Sequence, residues 1–320
     1  MLLKNIKEEK LGTGLLTHSL CHLHLTASDS PESPERISAV GDRLFASGLT
    51  QAFEIIETRR EATREDLLRA HTAQYIDFIQ SRVPPDEKQV VMISEDTGIG
   101  KYSYEAALQS AGCVLEACDR VVRGELNNAF CCIRPPGHHA HRDKAEGFCL
   151  FNNVAIGALY AREVLKLQKV AILDIDVHHG DGTEDIVKDR DDLLLCSWYQ
   201  EGIFPNITKT RWPANVHARA LKAGSTGDEA CQIIRSEWGP VLQAFQPELI
   251  MISAGFDAHA NDTMSALDFS DLDYAHITRI INDIAKTLCG AKVVSVLEGG
   301  YEPRSLSRSV VAHIRTLADL

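Results

Sequence analysis

Seven uninterrupted apolar runs of strand length recur along the chain, and most of them end in a tight cluster of His, Asp, Gly or Tyr. They read "GLLTH", "AFEIIE", "AFCCI", "KVAILDID", "LLLCSW", "ELIMISAG" and "KVVSVLEGG". A run that is apolar at every position, rather than at alternate ones, suits a strand buried on both faces. Stretches of helical spacing lie between them. Ser33 and Pro34 look like the N-cap and first residue of a helix closing at Gly48, and "YSYEAALQSAGCVLEACDRVVRG" reads as a helix stopping at Gly124. Further helices are predicted over Asn153–Leu167, Asp228–Phe245, Asp271–Leu288 and Pro303–Leu317. This alternation predicts an α/β fold with a mainly parallel central sheet flanked by helices. No repeat, low-complexity block or Pro/Ser-rich linker divides residues 1–320, so a single domain is expected.

In such a sheet, sites form beyond the carboxyl ends of the strands. The polar clusters obey that rule: "CCI" runs into "RPPGHHAH", "AILDI" into "DVHHGDG", "LIMISAG" into "FDAHAND" and "VVSVLE" into "GGY".

Charge narrows the partner. A net charge of −12 and a pI near 5.5, without any basic run, exclude a nucleic-acid reader, which needs a cationic stripe to displace phosphate counterions. An acidic surface favours cationic substrates such as lysine side chains or polyamines, although it also serves plain solubility. The nine cysteines are odd in number and scattered without a C-x-x-C pair. They sit in apolar runs, which points to reduced, buried thiols and a cytoplasmic setting. "MLLKNIKEEK" lacks the apolar core of a signal peptide, and no run of about 18 apolar residues offers a membrane span.

Asp176 and His178 are two positions apart, hence on the same side of an extended segment, and Asp257 follows another strand. Two oxygens and one nitrogen leave room for water and substrate, as a catalytic zinc site requires. An isolated Asp-x-His is more often a hydrogen-bonded strand end, but here the neighbours are informative. Tandem His138 and His139 can supply the base that deprotonates a water and the acid that protonates a leaving amine, with Asp174 and Asp181 available to orient them. Tyr301, after two glycines, can donate to a developing oxyanion.

"RPPGHHA", "GFCLFNNVAIGA", "ILDIDVHHGDGT", "SAGFDAH" and "LEGGY" occur in the order and spacing of the histone deacetylase superfamily. The wording resembles its class II-type and bacterial deacetylase-like amidohydrolase branch from about Leu15 to Val310, and "SPESPERI" resembles its "HPESPERL" segment. The resemblance implies an arginase/deacetylase-type fold, with Asp176, His178 and Asp257 as zinc ligands and His138 and His139 as the acid/base pair. It makes Asp174 and Asp181 the dyad carboxylates and Tyr301 the carbonyl-polarising group. Phe148, beside Gly147, and Phe204 match the walls of an acyl-lysine tunnel. Arg36 falls near an internal acetate exit, and Asp96 matches a rim aspartate that holds substrate amides. A structural potassium ion is implied at Asp174, Ser197 and the main-chain oxygens of Asp176, His178 and Trp198, leaving His179 a structural residue.

Departures from the family pattern fall at the tunnel mouth: Ser30 for its usual His, "IFPNITKT" for "FFPGTG", and "TRWPANV" for a glycine-rich approach. Met264 stands where polyamine-preferring members carry an acidic gatekeeper. The expected activity is therefore zinc-dependent removal of acetyl or other acyl groups from acyl-lysine. Hydrolysis of acetylpolyamines or other small acylated amines is the alternative, and a non-hydrolysing acyl-lysine binding module comes from another class. A binuclear manganese ureohydrolase would need a second set of metal acids.

Overall fold

The computed structural model describes residues 12–320, so the reading of "MLLKNIKEEK" falls outside the described residues. All seven apolar runs form strands of one sheet. In chain order the strands are β1 (Thr13–Thr17), β2 (Phe53–Glu57), β3 (Val91–Met92), β4 (Gly98–Ile99), β5 (Asn128–Cys131), β6 (Val170–Asp174), β7 (Leu193–Gln200), β8 (Val216–Leu221), β9 (Leu249–Ala254) and β10 (Val293–Leu297). Strands β3 and β4 pair as a separate antiparallel hairpin. The others make an eight-stranded sheet in the order β2-β1-β5-β10-β9-β6-β7-β8. Every pairing in it is parallel.

Every residue of β5, β6, β9 and β10 is buried, which is what their unbroken apolar runs require. Helices Ser103–Val122 and Asn153–Glu163 pack together on one face, and Glu35–Ala46, Asp271–Cys289 and Pro303–Leu317 pack over the other. Phe130 of β5 meets His313 of the last helix edge-on at 5.6 Å.

Three predicted helix boundaries shift. The first helix begins at Glu35, so Pro34 occupies the cap position and Ser33 precedes it. The predicted Asn153–Leu167 helix ends at Glu163. The Asp228–Phe245 stretch is divided by a π turn, Ile234–Trp238, between helices Gly227–Ile233 and Gly239–Phe245. Pro240 lacks the amide needed to continue the regular ladder.

Because every strand of the sheet runs parallel, the neighbouring strands β5-β10-β9-β6-β7 present their carboxyl ends side by side along one rim. That rim receives the polar clusters.

Candidate active site

Just beyond β6 and β9, Asp176, His178 and Asp257 bring one side-chain donor atom each to within 4.8 Å of one another, all buried. Nδ1 of His178 is 3.0 Å from Asp176 Oδ1 and 3.2 Å from Asp257 Oδ2. The second oxygen of each acid is held by the backbone, Asp257 Oδ1 accepting from Val177 N at 3.1 Å and Asp176 Oδ2 from Gly299 N at 2.8 Å. Asp257 Oδ2 is buried and makes no hydrogen bond. With only the His178 ring near it, at 3.2 Å and not aligned as a hydrogen bond, such a buried carboxylate oxygen is costly unless a cation faces it. Although burial alone would depress it, His178 is pushed up to about 10 by Asp176 and Asp257. The pair thus demands positive charge, and the N/O donor set fits a divalent cation such as zinc.

Glycines make this packing possible. A Cβ on Gly255 would lie 2.0 Å from Asp176 Oδ2, and one on Gly299 would lie 2.1 Å from Asp257 Oδ2.

The two predicted dyads form as paired. His138 Nδ1 lies 3.1 Å from Asp174 Oδ2, and His139 Nδ1 lies 2.7 Å from Asp181 Oδ1. The rings sit 4.0 Å apart between centres. Their electrostatics differ. Burial works against a charge on His138, yet Asp176 and Asp174 together hold it well above its ordinary value. Burial and the neighbouring His138 push His139 down to about 4 despite Asp181. At neutral pH, therefore, His139 is a free base whose Nε2 is turned from Asp181, and it lines the pocket.

Several residues given no role from sequence hold this loop in place. Glu298 Oε2 accepts from Gly137 N at 2.7 Å and His138 N at 3.1 Å. Burial pushes that carboxyl up to about 7. Asn153 Nδ2 donates to Pro135 O at 3.1 Å, Asn152 Nδ2 donates to Ala140 O at 3.2 Å, and Thr183 N donates to His138 O at 3.0 Å. All lie inside the motifs "FNNVA", "HGDGT" and "LEGGY", but only their spatial partners disclose what they do.

A pocket of about 200 Å³ leads to this centre, lined by Asp96, His139, Gly147, Phe148, His178, Phe204, Met264 and Tyr301. Phe148 meets Tyr301 edge-on at 5.6 Å, and Phe204 meets His139 at 4.8 Å. Gly147 is left-handed at φ 58°, where a Cβ would fall 2.4 Å from His139 Cδ2, and Phe148 follows at φ 65°. Asp96, in the β3–β4 turn, accepts from Gly147 N at 3.0 Å, and Thr97 Oγ1 accepts from Phe148 N at 3.1 Å. This turn thereby fixes the Phe148 wall. Asp262 Oδ2 accepts from Tyr301 N at 2.6 Å while its Oδ1 accepts from Met264 N at 3.0 Å, tying Met264 to the tyrosine.

Arg36 is fully buried behind Tyr301, its guanidinium carbon 4.9 Å from the ring centre. It donates to Gly300 O at 2.6 Å and pairs with Glu32 at 3.0 Å. Glu32 also pairs with Arg134 at 2.5 Å.

Asp174 and Ser197 are register partners on β6 and β7, with Trp198 next and with Asp176 and His178 just past the end of β6. His179 does not join the Asp176, His178 and Asp257 group; its Nδ1 lies 3.0 Å from Ser197 Oγ and its Nε2 2.7 Å from Glu184 Oε2. A second His/acid group, His141, Glu146 and Asp181, lies half-buried at the rim.

A family model of the histone deacetylase domain matches residues 30–317. The chain belongs to the histone deacetylase family. It is similar to the histone deacetylase-like amidohydrolase of Pseudomonas aeruginosa, 36% identical over 282 residues, covering 86% of this chain and 72% of that protein. It is also similar to the polyamine deacetylase HDAC10 of Danio rerio, 31% identical over 301 residues, covering 89% and 44%. The crystal structure of the HDA15 HD domain matches with a TM-score of 0.88 at 29% identity, covering 97% of this chain and 90% of that one. The chain spans between 21% and 81% of the length of these and other curated relatives. The single-domain α/β fold expected from the sequence is the fold of this family.

Proposed function

We propose that the protein is a zinc-dependent amidohydrolase that removes acetyl or related acyl groups from acyl-lysine in proteins or peptides. The observation that carries this reading is the buried Asp176–His178–Asp257 set, with its unbonded Asp257 Oδ2, facing a histidine pair at the foot of an aromatic pocket. Asp176, His178 and Asp257 would hold the zinc. The chemistry such a cation supplies when bound is polarisation of the acyl carbonyl and a lowered water pKa, to about 7.

The chain's own residues do the rest. His139, neutral and oriented by Asp181, takes the proton of the attacking water at Nε2 and returns it to the leaving amine. His138, held charged between Asp174 and Asp176, supports the developing negative charge. Burial keeps the Tyr301 phenol protonated, so it donates to the oxyanion. Phe148, Phe204 and Met264 give the methylene stem of the substrate an apolar sleeve. Potassium at Asp174, Ser197 and the main-chain oxygens of Asp176, His178 and Trp198 is part of the same proposal, as are an Asp96 contact to substrate amides and a cytoplasmic setting. All nine thiols are free and buried, which suits that setting. No helix among the described residues is long and apolar enough to cross a membrane.

Similarity to a polyamine deacetylase supports a second substrate class, acetylpolyamines or other small acylated amines. Apolar Met264 in the pocket favours acyl-lysine. A panel of acetyl-lysine peptide, longer acyl-lysines and acetylspermidine, run on metal-analysed protein, tests the reading. Preferential turnover of acyl-lysine with one zinc per chain is expected. Absence of hydrolysis of every amide by zinc-loaded protein would leave only an acyl-lysine binding module, and two metals per chain would favour a binuclear ureohydrolase.

A further inference from the structure

A third imidazole stands in the catalytic corner with no role in the reaction described so far. His141 lies two residues beyond the His138–His139 pair. Its Nε2 is 2.8 Å from Glu146 Oε1 and 3.4 Å from Asp181 Oδ2, and its Nδ1 is 3.6 Å from Asp185 Oδ2. The other oxygen of Asp181, Oδ1, is the one 2.7 Å from His139 Nδ1. One carboxylate is therefore divided between an inner imidazole that lines the pocket and an outer one whose side chain is 21% exposed.

The charged groups facing His141 are unbalanced. Asp181 and Asp185 approach from helix Asp181–Val187, and Glu146 from its own loop. Lys144 pairs with Glu146 and Lys188 with Asp185 at 2.7 Å, while Arg142 meets Asp185 through its main-chain N–H. His71 packs from the segment before helix Ala73–Ser81, its Nδ1 donating to His141 O at 2.8 Å and its Nε2 accepting from Asn152 N at 2.9 Å. Burial pushes His71 down to about 4, so it adds no charge. Three carboxylates still outnumber the two ammonium groups, and Asp181, the one nearest the catalytic pair, has neither lysine on it; although partial burial opposes a proton on His141, Asp181 and Glu146 raise its pKa above 6.5.

A cation site is the less economical reading of this cluster. The donor atoms of His141, Glu146 and Asp181 are already engaged in His–carboxylate pairs, and the orphaned oxygen that marks the Asp257 centre has no counterpart among them.

We propose that His141 is a positioning residue for the His139–Asp181 dyad: a proton on its ring draws Asp181 away from His139, and loss of that proton restores the dyad. The proposal rests on the deacetylase reading. Asp181 stabilises a positive charge on His139, so sharing it with a charged His141 weakens His139 as a base. The sign follows: His141 is charged below its pKa and neutral above, so this contribution to hydrolysis rises with pH through a midpoint above 6.5.

The test is the pH profile of kcat/KM on an acetyl-lysine peptide for the zinc-loaded full chain, from about pH 5.5 to about pH 9, the range over which imidazoles titrate. His141→Gln is expected to move the acid limb to lower pH by about one unit, a tenfold gain on that limb. His141→Arg, permanently charged, is expected to lose about tenfold on the alkaline side and little on the acid side. Limbs unmoved in both variants, with one constant factor lost at all pH values, are what a merely structural residue gives and would overturn the proposal. Zinc content and thermal unfolding establish that each variant is folded and loaded. Independently of turnover, the His141 ring titration followed by NMR should fall in midpoint in Asp181→Asn, and an unchanged midpoint would overturn the coupling. Failure of the wild-type chain to hydrolyse any acyl amide would instead refute the deacetylase reading, with the NMR titration still deciding whether the two residues are coupled.

Discussion

Replacing Gly299 by alanine adds a single methyl at the floor of the candidate metal centre. The built Cβ would fall 2.1 Å from Asp257 Oδ2 and 2.6 Å from Asp176 Oδ2. Ordinary C···O contacts begin at about 3.3 Å, so the Asp257 oxygen would have to retreat by about 1.2 Å. Metal–ligand distances tolerate only about 0.2 Å. Neither acid has slack to absorb the difference. Asp176 is held by Gly299 N at 2.8 Å and by His178 N at 2.8 Å, and Asp257 by Val177 N at 3.1 Å. Gly299 is not among the residues of positive φ, so its backbone accepts alanine and the cost falls on the two carboxylates. Disturbing groups that merely orient ligands weakens metal binding by about 10–100-fold, so displacing two ligands should cost about 100-fold or more. Zinc affinity by chelator competition, with metal content by mass spectrometry, reads the effect without reference to activity. Gly41→Ala, whose Cβ meets nothing within 4 Å, is the control and should bind as wild type. Wild-type zinc affinity in Gly299→Ala would mean that Asp176 and Asp257 do not grip the ion.

Tyr301→Phe should lower kcat by about 10²–10³ with zinc content unchanged, and loss of metal in that variant would contradict the tyrosine's assigned role. Glu32, held at about 2 by Arg134 and Arg36 against the opposing effect of burial, has a folded pKa below its ordinary 4.5. Its contribution, roughly 3 kcal/mol, is therefore complete above pH 4.5 and lost as pH falls towards 2. Glu32→Gln should destabilise the chain at neutral pH in urea unfolding and flatten the stability profile across that acid window, whereas parallel profiles would sink the assignment. Met264→Glu places a carboxylate in the pocket and should shift the ratio of kcat/KM for acetylspermidine over acetyl-lysine peptide by about tenfold towards the polyamine. An unchanged ratio would remove Met264 from the specificity argument.

The central sheet was legible because its inner strands are apolar at nearly every position, a pattern that suits a strand covered on both faces and little else of that length. Strand β8 escaped because it is an edge strand: His217 and Ala218 are half-buried and Arg219 and Ala220 exposed, so "VHARAL" carries no strong period. The Asp176, His178 and Asp257 group and both His–Asp pairs were legible from tight spacing at strand ends. Glu298, Asn152, Asn153 and Asp262 were not, because each acts on backbone groups of a segment remote in sequence. The Glu32–Arg36–Arg134 triad was hidden for the same reason, its members joined across 102 positions.

These less legible residues account for how the fold tolerates its own site. Asp174, Asp176, Asp257 and Glu298 are all fully buried, a concentration of acid that an apolar sheet end would ordinarily reject. Each is met by a specific donor: His138 for Asp174, Gly299 N for Asp176, Val177 N for Asp257, and Gly137 N for Glu298. The local rules of burial are broken where the chemistry is and satisfied by contacts from distant segments, and among these four acids the oxygen left without a hydrogen bond, Asp257 Oδ2, is the one the proposed cation would meet.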